Sequence, residues 1–467
     1  MKTPRSATLR ALGNVAVPHS SSPRSFTVIS CTRARTQAHT QTQTQNGTST
    51  LHRISHVPAR TFTHASQSLS TTSRKAPRFA FAFDIDGVLL HVAKPIPGAT
   101  ETLEYLQRHD IPFIFLTNGG GKHESERVEE LSARLGVPLS TENFVQSHTP
   151  FQELVNRSWS HDPVDRQIHN GLLDEDVQPG LADKNILITG SDPARSRLIA
   201  ETYGFRSVIT PADIVVAHPT IFPFEPQLKD RLKATARPLP SPNPKIDAIF
   251  VFNDPRDWAV DTQIIVDLLL SRGGVLGTYS AKNGRAEHEN NGWQADGQPP
   301  LYFSNHDLFW SATYHLPRFG QGAFQAALAG IWRQVTAGAA ELRRTTIGKP
   351  YPRTYEYAET VLARWRAELL KKNNNNKKKN NESGLEAEAE LEPLPLDRVY
   401  MVGDNPASDI RGANEYSSPR GTEWASVLVR TGVWSEDRDG EPKHRPTAIV
   451  DDVKGAVKWA LEREGWQ

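Results

Sequence analysis

Two aspartates that are one residue apart, Asp84 and Asp86, follow a short apolar segment of the sequence. Residues 81–83 (FAF) are typical of a buried strand, and Gly87 permits a sharp turn directly after the second aspartate. Because side chains alternate along a strand, both carboxylates point to the same side at its end. One carboxylate could attack an electrophile while the other moves a proton. A DxDG motif also ends strands that carry no chemistry, so this prediction depends on partners elsewhere in the chain.

A second candidate group follows the strand that is predicted over residues 112–116 (PFIFL). Thr117 and Asn118 come directly after this strand and lead into three consecutive glycines, residues 119–121. A hydroxyl, an amide and closely approaching backbone N–H groups suit a bound anion. A glycine-rich turn from a strand to a helix is the alternative, and the segment lacks the GxGxxG pattern of dinucleotide-binding proteins.

Two further segments contribute charged side chains. Lys349 lies in a predicted loop, where lysines are usually solvated. The strand predicted over residues 398–403 ends at Asp404, and Asp409 follows five residues later. In an open α/β sheet the carboxyl ends of parallel strands meet at one edge, so we expect these groups to lie near Asp84.

The rest of the sequence alternates predicted strands and helices, which indicates an α/β fold. We interpret residues 77–150 and 331–467 as two parts of one Rossmann-like core with a parallel sheet, and residues 151–330 as an inserted α/β cap domain. Residues 371–396, with their Asn and Lys runs, are predicted to be a disordered insertion. In the cap, strands are predicted near 185–188, 246–252 and 301–303, and helices near 195–203, 263–270 and 320–336.

The first 83 residues contain 11 Lys and Arg residues, many Ser and Thr residues, and no Asp or Glu. Such a composition is typical of transit peptides, so we interpret residues 1–76 as a mitochondrial transit peptide and expect the protein in the matrix. A disordered basic tail is the alternative. Cys31, the only cysteine, lies in this segment, which predicts a body without disulfides or cysteine metal sites.

The charge balance changes when this segment is set aside. The chain has 54 Lys and Arg residues and 53 Asp and Glu residues; without the 11 basic residues of the first 83 positions, 43 face 53, a balance of −10. An acidic body argues against nucleic-acid binding. No run of 18 apolar residues occurs, so no integral membrane span is expected. Nothing in the sequence indicates an oligomeric state.

Taken in order, the four chemical segments resemble the motifs of the haloacid dehalogenase (HAD) superfamily. These segments are residues 84–87 (DIDG), 116–118 (LTN), 348–350 (GKP) and 403–409 (GDNPASD). The long region between the second and third segments resembles the C2-type cap of subclass IIA. Residues 117–121 together with 403–410 resemble the cat eye syndrome critical region branch, whose fungal members are mitochondrial.

The resemblance implies a Mg²⁺-dependent phosphatase that acts on a small phosphorylated metabolite. It implies that Asp84 attacks phosphorus and forms an aspartyl phosphate, while Asp86 serves as general acid and base. A link to mitochondrial glycerophospholipid metabolism is one hypothesis for the substrate. The resemblance further implies that Thr117, Asn118, Gly119 and Lys349 hold phosphate, and that Asp84, the Asp86 carbonyl and Asp404 bind the metal, with Asp409 as an extra ligand or as an anchor beside them.

Two other functions fit the same sequence. A protein that retains the fold and the motifs could be catalytically weak and bind a metabolite or act as a scaffold. A dehydrogenase fits the alternation of strands and helices but lacks the glycine fingerprint. Polar residues at predicted cap strand ends are candidates for substrate selection, with ordinary loop polarity as the alternative: Asn253, Asp254, Arg256, Asn305, His306 and Asp307.

Overall fold

The computed structural model describes residues 77–155, 180–310, 314, 316–380 and 395–466. The predicted transit peptide, residues 1–76, lies outside these residues. Among the residues described, no helix has the length and apolar character needed to cross a membrane.

The strands are short, and most of them pair in two parallel sheets. They are β1 (Phe79–Phe83), β2 (Leu90–His91), β3 (Lys94–Pro95), β4 (Phe113–Leu116), β5 (Phe144–Val145), β6 (Asn185–Thr189), β7 (Ser207–Ile209), β8 (Ala248–Val251), β9 (Leu301–Phe303), β10 (Phe309–Trp310), β11 (Arg318–Phe319), β12 (Thr345–Thr346), β13 (Arg398–Gly403), β14 (Glu423–Val429) and β15 (Ala448–Val450).

The α-helices separate these strands, as expected for parallel sheets. They are α1 (Ala99–Arg108), α2 (Glu124–Leu135), α3 (Pro193–Tyr203), α4 (Pro211–Ala217), α5 (Leu228–Leu232), α6 (Trp258–Leu270), α7 (Gln321–Val335), α8 (Pro352–Asn380), α9 (Arg411–Glu415), α10 (Glu436–Asp439) and α11 (Val453–Arg463).

The core sheet has six parallel strands in the order β15-β14-β13-β1-β4-β5. Its central strand β1 reads FAFAF, which places phenylalanine on one face and alanine on the other. Phe81 and Phe83 stack at 5.5 Å on the face covered by α1 and α11. The alanine face leaves room for Tyr355 and Leu362 of α8. Both faces are therefore buried, as is usual for parallel sheets.

The cap sheet has five parallel strands in the order β12-β9-β8-β6-β7. Helix α7 buries Phe324, Leu328 and Trp332 in the hydrophobic cluster of this sheet. The chain then adds β12 beside β9, with Thr345 opposite Tyr302. Cap structure therefore continues to residue 346, beyond the predicted boundary at residue 330, because α7 and β12 pack on the cap.

The low-complexity segment predicted to be disordered at residues 371–396 begins inside α8. The backbone of this helix continues to Asn380, and residues 381–394 lie outside the described part of the chain. The helix is anchored upstream by buried Tyr355 and Leu362. Extending an established helix costs much less than starting one, so the helical backbone can continue into this segment.

Candidate active site

Three aspartates at the carboxyl edge of the core sheet form a compact group. Asp84 follows β1, Asp404 follows β13, and Asp409 lies in the π-helical turn Pro406–Ile410. The parallel pairing of β1 with β13 brings the ends of these two strands to the same edge. One oxygen of each carboxylate lies within 4.8 Å of the others, and all three residues are buried.

Lys349 supplies the positive charge of this group. Its Nζ lies 2.8 Å from Asp84 Oδ1 and 2.6 Å from Asp409 Oδ1, and it donates to the Leu116 carbonyl at 2.7 Å. Burial alone lowers the pKa of Lys349, but the two carboxylates raise it, and the net direction is upward. Loop lysines are usually solvated, but Lys349 is a buried cation.

The group of aspartates suits a divalent cation. Three carboxylates and one ammonium group leave a formal charge of −2 in a buried place, which is costly without a counter-ion. Burial raises the pKa of Asp404, and Asp84 and Asp409 act in the same direction. Mg²⁺ prefers oxygen ligands of this kind. The donor set therefore fits Mg²⁺, for which Asp84 and Asp404 would be ligands.

Asp409 is held by the protein through both of its oxygens. Oδ1 faces Lys349, and Oδ2 accepts a hydrogen bond from Asn405 N at 3.0 Å. These contacts favour a role for Asp409 in positioning Lys349 and the turn after β13. Apart from the ion pair with Lys349, buried Oδ1 has no hydrogen-bond partner among the described residues. An oxygen of Asp409 lies within 4.8 Å of ligand oxygens of Asp84 and Asp404, so Asp409 fits both roles, direct ligand and anchor.

The backbone of Gly432 and Val433 lies close to the Asp404 carboxylate and fixes its position. Its Oδ2 accepts a hydrogen bond from Val433 N at 2.6 Å. A Cβ atom at Gly432 would lie 1.9 Å from the same oxygen, and one at Gly87 would lie 2.4 Å from it. The position of this carboxylate therefore depends on glycine at two sites, which the sequence motifs did not reveal for Gly432.

The substitution Gly432→Ala is expected to displace the Asp404 carboxylate and to weaken Mg²⁺ binding by about tenfold, as loss of a ligand's support commonly does. A Mg²⁺ titration followed by thermal unfolding measures the affinity. Gly330→Ala in α7 is the control, because a Cβ atom there contacts nothing within 4 Å. Equal Mg²⁺ affinities for wild type and Gly432→Ala would show that Asp404 is not a ligand.

Asp86 lies at the opening of the site. It is also predicted as a metal ligand through its carbonyl, and its side chain lies outside the group of three aspartates. Desolvation by the surrounding protein raises the pKa of Asp86, Asp84 acts in the same direction, and Arg127, 3.8 Å away, opposes both. Water still reaches 55% of this side chain. A carboxyl group of this kind, in contact with solvent, suits proton transfer.

The predicted phosphate-binding residues form the rim beside Asp84. Thr117 and Asn118 are buried, whereas the glycine that follows them, Gly119, is exposed. Thr117 Oγ1 accepts from Gly119 N at 3.0 Å, which fixes the start of the glycine loop. The Asn118 side chain exchanges two hydrogen bonds with the backbone of Lys349, at 2.8 and 2.9 Å. In this structure Asn118 therefore positions the lysine.

The cap reaches this rim through the residues that follow β9. Asp307 Oδ2 accepts from Asn118 Nδ2 at 2.9 Å, and Asn305 Nδ2 donates to the Asn118 carbonyl at 3.3 Å. Burial raises the pKa of Asp307 to about 7. Of the six cap candidates, Asn305 and Asp307 thus form hydrogen bonds with Asn118 of the core. Asn253 bonds to Ser191 within the cap, Asp254 is half-buried, and Arg256 and His306 are exposed.

A buried chain of hydrogen bonds behind the glycine loop was not predicted. His148 Nε2 accepts from Gly121 N at 3.3 Å, and His148 Nδ1 lies 2.7 Å from the hydroxyl of Tyr203 in α3. The same hydroxyl donates to Glu124 Oε1 at 2.5 Å. Burial lowers the pKa of His148 to about 4, partly opposed by Glu124 and aided by His123. His148 is therefore neutral in the folded protein.

This neutral histidine predicts a loss of stability in acid. The pKa of His148 is about 4 in the folded state and 6.5 in its ordinary state. Between these values the unfolded chain binds a proton that the folded chain does not, so stability is full above pH 6.5 and falls toward pH 4. The contribution of His148 alone is expected to make unfolding in urea easier by about 2 kcal/mol between pH 7 and pH 5, measured as the difference in pH dependence between wild type and a variant without the imidazole. The variant His148→Gln should lack this part of the pH dependence, and equal pH slopes for both proteins would contradict the assignment.

The geometry defines a class of protein: an α/β protein with a buried carboxylate group at the edge of a parallel sheet and an inserted cap domain. A family model described as haloacid dehalogenase-like hydrolase matches residues 81–206, and a HAD-hydrolase-like model matches residues 346–456. A mitochondrial hydrolase of Saccharomyces cerevisiae is 39% identical over 403 residues, which cover 84% of this chain and 97% of that relative. The chain belongs to the haloacid dehalogenase-like hydrolases.

Two other similarities accompany this assignment. A cardiolipin synthase (CMP-forming) / mitochondrial hydrolase fusion protein of Schizosaccharomyces pombe is 36% identical over 396 residues, which cover 84% of this chain and 55% of the fusion protein. This chain thus spans about half of that relative. The crystal structure of a 4-nitrophenylphosphatase from Thermotoga maritima has a TM-score of 0.45 at 15% identity, covering 82% of this chain and 97% of that one.

Proposed function

We propose that this protein is a Mg²⁺-dependent phosphatase that hydrolyses a small phosphate ester through an aspartyl phosphate on Asp84. One observation carries the proposal: Asp84 lies within 4.8 Å of Asp404 and Asp409, and buried Lys349 holds one of its oxygens at 2.8 Å. A carboxylate that is fixed but only partly neutralised retains an oxygen that can attack phosphorus. Bound at Asp84 and Asp404, Mg²⁺ would supply positive charge for the phosphate oxygens.

The residues divide the reaction into two displacements. In the first, an oxygen of Asp84 bonds to phosphorus while the bond from phosphorus to the ester oxygen breaks, and Asp86 gives its proton to that leaving oxygen. In the second, Asp86 takes a proton from water, whose oxygen bonds to phosphorus as the bond to Asp84 breaks. Inorganic phosphate leaves, and both carboxyl groups regain their starting states.

Lys349 and the loop at residues 117–121 support both displacements. Lys349 carries a positive charge beside Asp84, which offsets the negative charge that a phosphate adds to the acidic group. Gly119 is exposed next to this position, and its N–H, which donates to Thr117 Oγ1 at 3.0 Å in this structure, would turn to a phosphate oxygen when one binds. We propose Thr117, Asn118, Gly119 and Lys349 as the phosphate-binding set, with Asn118 acting through Lys349.

The setting and the substrate class are also proposals. The two relatives described above are named mitochondrial hydrolases, and one of them is joined to a cardiolipin synthase. These names support a mitochondrial location; within the mitochondrion we propose the matrix, with residues 1–76 as the transit peptide. They also support a phosphate ester from glycerophospholipid metabolism as substrate, either a headgroup precursor or a phosphorylated lipid.

Phosphate release from a panel of small phosphate esters, glycerol phosphates and phosphorylated glycerolipids tests the proposal. We expect release with Mg²⁺ and its loss in chelator. Release that is equal in Mg²⁺ and chelator would contradict the metal requirement. No release from any ester by folded protein would instead favour the catalytically weak binding or scaffold protein.

A further inference from the structure

The glycine loop is held from behind by the three residues that follow β5. Ser147 N donates to the Gly119 carbonyl at 3.3 Å, and Gln146 Nε2 donates to the Lys122 carbonyl at 2.8 Å. Between them, His148 Nε2 accepts from Gly121 N at 3.3 Å. Every one of these hydrogen bonds is to the backbone of the loop. These residues therefore fix the backbone conformation of the loop independently of its side chains.

Two glycines of the loop have no room for a side chain. A Cβ atom at Gly120 would lie 2.7 Å from Ser147 Oγ, and one at Gly121 would lie 2.1 Å from Asn253 Nδ2. Asn253 belongs to the cap, where its amide bonds to Ser191. Gly120 therefore lies against the segment after β5, and Gly121 lies against the cap.

The hydrogen bonds behind the loop have one consistent direction. Glu124 is a carboxylate and only accepts hydrogen bonds, so the Tyr203 hydroxyl donates its hydrogen bond to Glu124 Oε1. The hydroxyl oxygen then accepts from His148 Nδ1, which carries the ring proton. Nε2 is consequently the lone-pair nitrogen that can accept from Gly121 N. Glu124 thus determines, through Tyr203, which histidine tautomer holds the loop.

All three side chains are buried, and they come from different elements. Glu124 begins α2 of the core, His148 follows β5, and Tyr203 ends α3 of the cap. Thr149 also donates to Glu124 Oε1, at 2.6 Å, so the carboxylate keeps a core partner without the tyrosine. The contribution that depends on the cap is therefore the tyrosine hydroxyl.

We propose that His148 and Tyr203 are positioning residues for phosphate binding, through which docking of the cap fixes the backbone of the glycine loop. The inference rests on the proposed function, because it treats this loop as the phosphate-binding element. When the cap is docked, Tyr203 selects the histidine tautomer that accepts from Gly121. When the tyrosine hydroxyl is absent, the ring can place its proton on Nε2, which opposes the Gly121 N–H, and the loop loses its anchor.

The test compares Tyr203→Phe with Tyr416→Phe in the full chain. Tyr416 is a matched control, since it is a buried tyrosine whose hydroxyl donates to a buried glutamate, Glu359, at 2.9 Å. Calorimetry with Mg²⁺ and inorganic phosphate measures binding without turnover. We expect Tyr203→Phe to raise the phosphate Kd by about five- to tenfold, the loss of one buried hydrogen-bond link. Tyr416→Phe should leave it unchanged.

A second pair of variants examines the histidine. His148→Gln keeps an acceptor near the Nε2 position, whereas His148→Asn keeps only a donor near Nδ1. We expect phosphate binding to be closer to wild type in His148→Gln than in His148→Asn. With p-nitrophenyl phosphate as substrate, the loss in Tyr203→Phe should fall on KM more than on kcat.

The outcomes separate the two proposals. If Tyr203→Phe binds phosphate as tightly as wild type, the positioning role is overturned and the proposed function is left intact. Equal losses in the two tyrosine variants would also overturn it, since a general effect on stability would then explain both. Wild type that neither binds phosphate nor hydrolyses any ester would overturn the proposed function and, with it, this inference.

Discussion

Replacing Asp84 with asparagine is expected to reduce Mg²⁺-dependent phosphate release by at least about 1000-fold, since the nucleophile of a covalent mechanism is lost. An amide oxygen is a poor nucleophile, and the substitution also removes one negative charge from the group of three aspartates. The side chain keeps its shape and can still accept from Lys349 Nζ, which lies 2.8 Å from Oδ1. Initial rates of phosphate release, with and without Mg²⁺, measure the effect, and thermal unfolding checks that the variant is folded.

Asp451→Asn is the matched control for this experiment. Asp451 also comes directly after a strand of the core sheet, β15, but its side chain is 92% exposed and pairs with Arg430. The control should retain wild-type activity. If folded Asp84→Asn retained wild-type phosphate release, Asp84 would not be the nucleophile, whatever the activity of the control.

The substitution Lys349→Met is expected to destabilise the metal-free protein by about 3–5 kcal/mol, the usual cost of removing one partner from a buried ion pair. The methionine fills a similar volume but leaves Asp84, Asp404 and Asp409 buried without a cation. Mg²⁺ should recover part of the loss, so the stabilisation by Mg²⁺ should be larger in the variant than in wild type. Urea unfolding in chelator and in Mg²⁺ measures both quantities.

Lys458→Met provides the comparison for Lys349→Met. Lys458 is a surface lysine that is 78% exposed and lies 3.8 Å from Glu462, so its loss should change stability by less than about 0.5 kcal/mol. A Lys349→Met protein as stable as wild type in chelator would refute the view that Lys349 compensates the acidic group. Activity should also fall in Lys349→Met, because the phosphate loses a neighbouring positive charge.

The site residues that directly follow predicted strands were predictable from the sequence. Asp84 and Asp404 follow apolar runs whose strand character is local, and the rule that parallel strands end at one edge brought them together. Lys349 was different, since a loop lysine has no local signal of burial. Only the resemblance to a family suggested its role, and the structure supplies the physical reason in its two carboxylate partners.

The contacts between the core and the cap were not predictable. Tyr203 and Glu124 are 79 residues apart, and Asn118 and Asp307 are 189 residues apart, so no periodicity of the sequence relates them. The extent of the cap was misjudged for a similar reason. Strand β12 contains only Thr345 and Thr346, too short to show a pattern, and its place is determined by β9 beside it.

The insertion of the cap between the two parts of the core also affects the order in which parts of the chain can fold. In β1, Phe79 pairs with Arg398, so the centre of the core sheet joins residues that are far apart, whereas the cap sheet is built from a continuous stretch that ends at β12. A chain that emerges from a ribosome or a translocation pore amino end first can complete the cap while β1 still lacks β13. The phenylalanines of β1 must stay shielded from aggregation during that interval. Because Asp84 and Asp404 lie on the two sides of this late pairing, a chain delivered in that order would complete the site only after the domain that covers it.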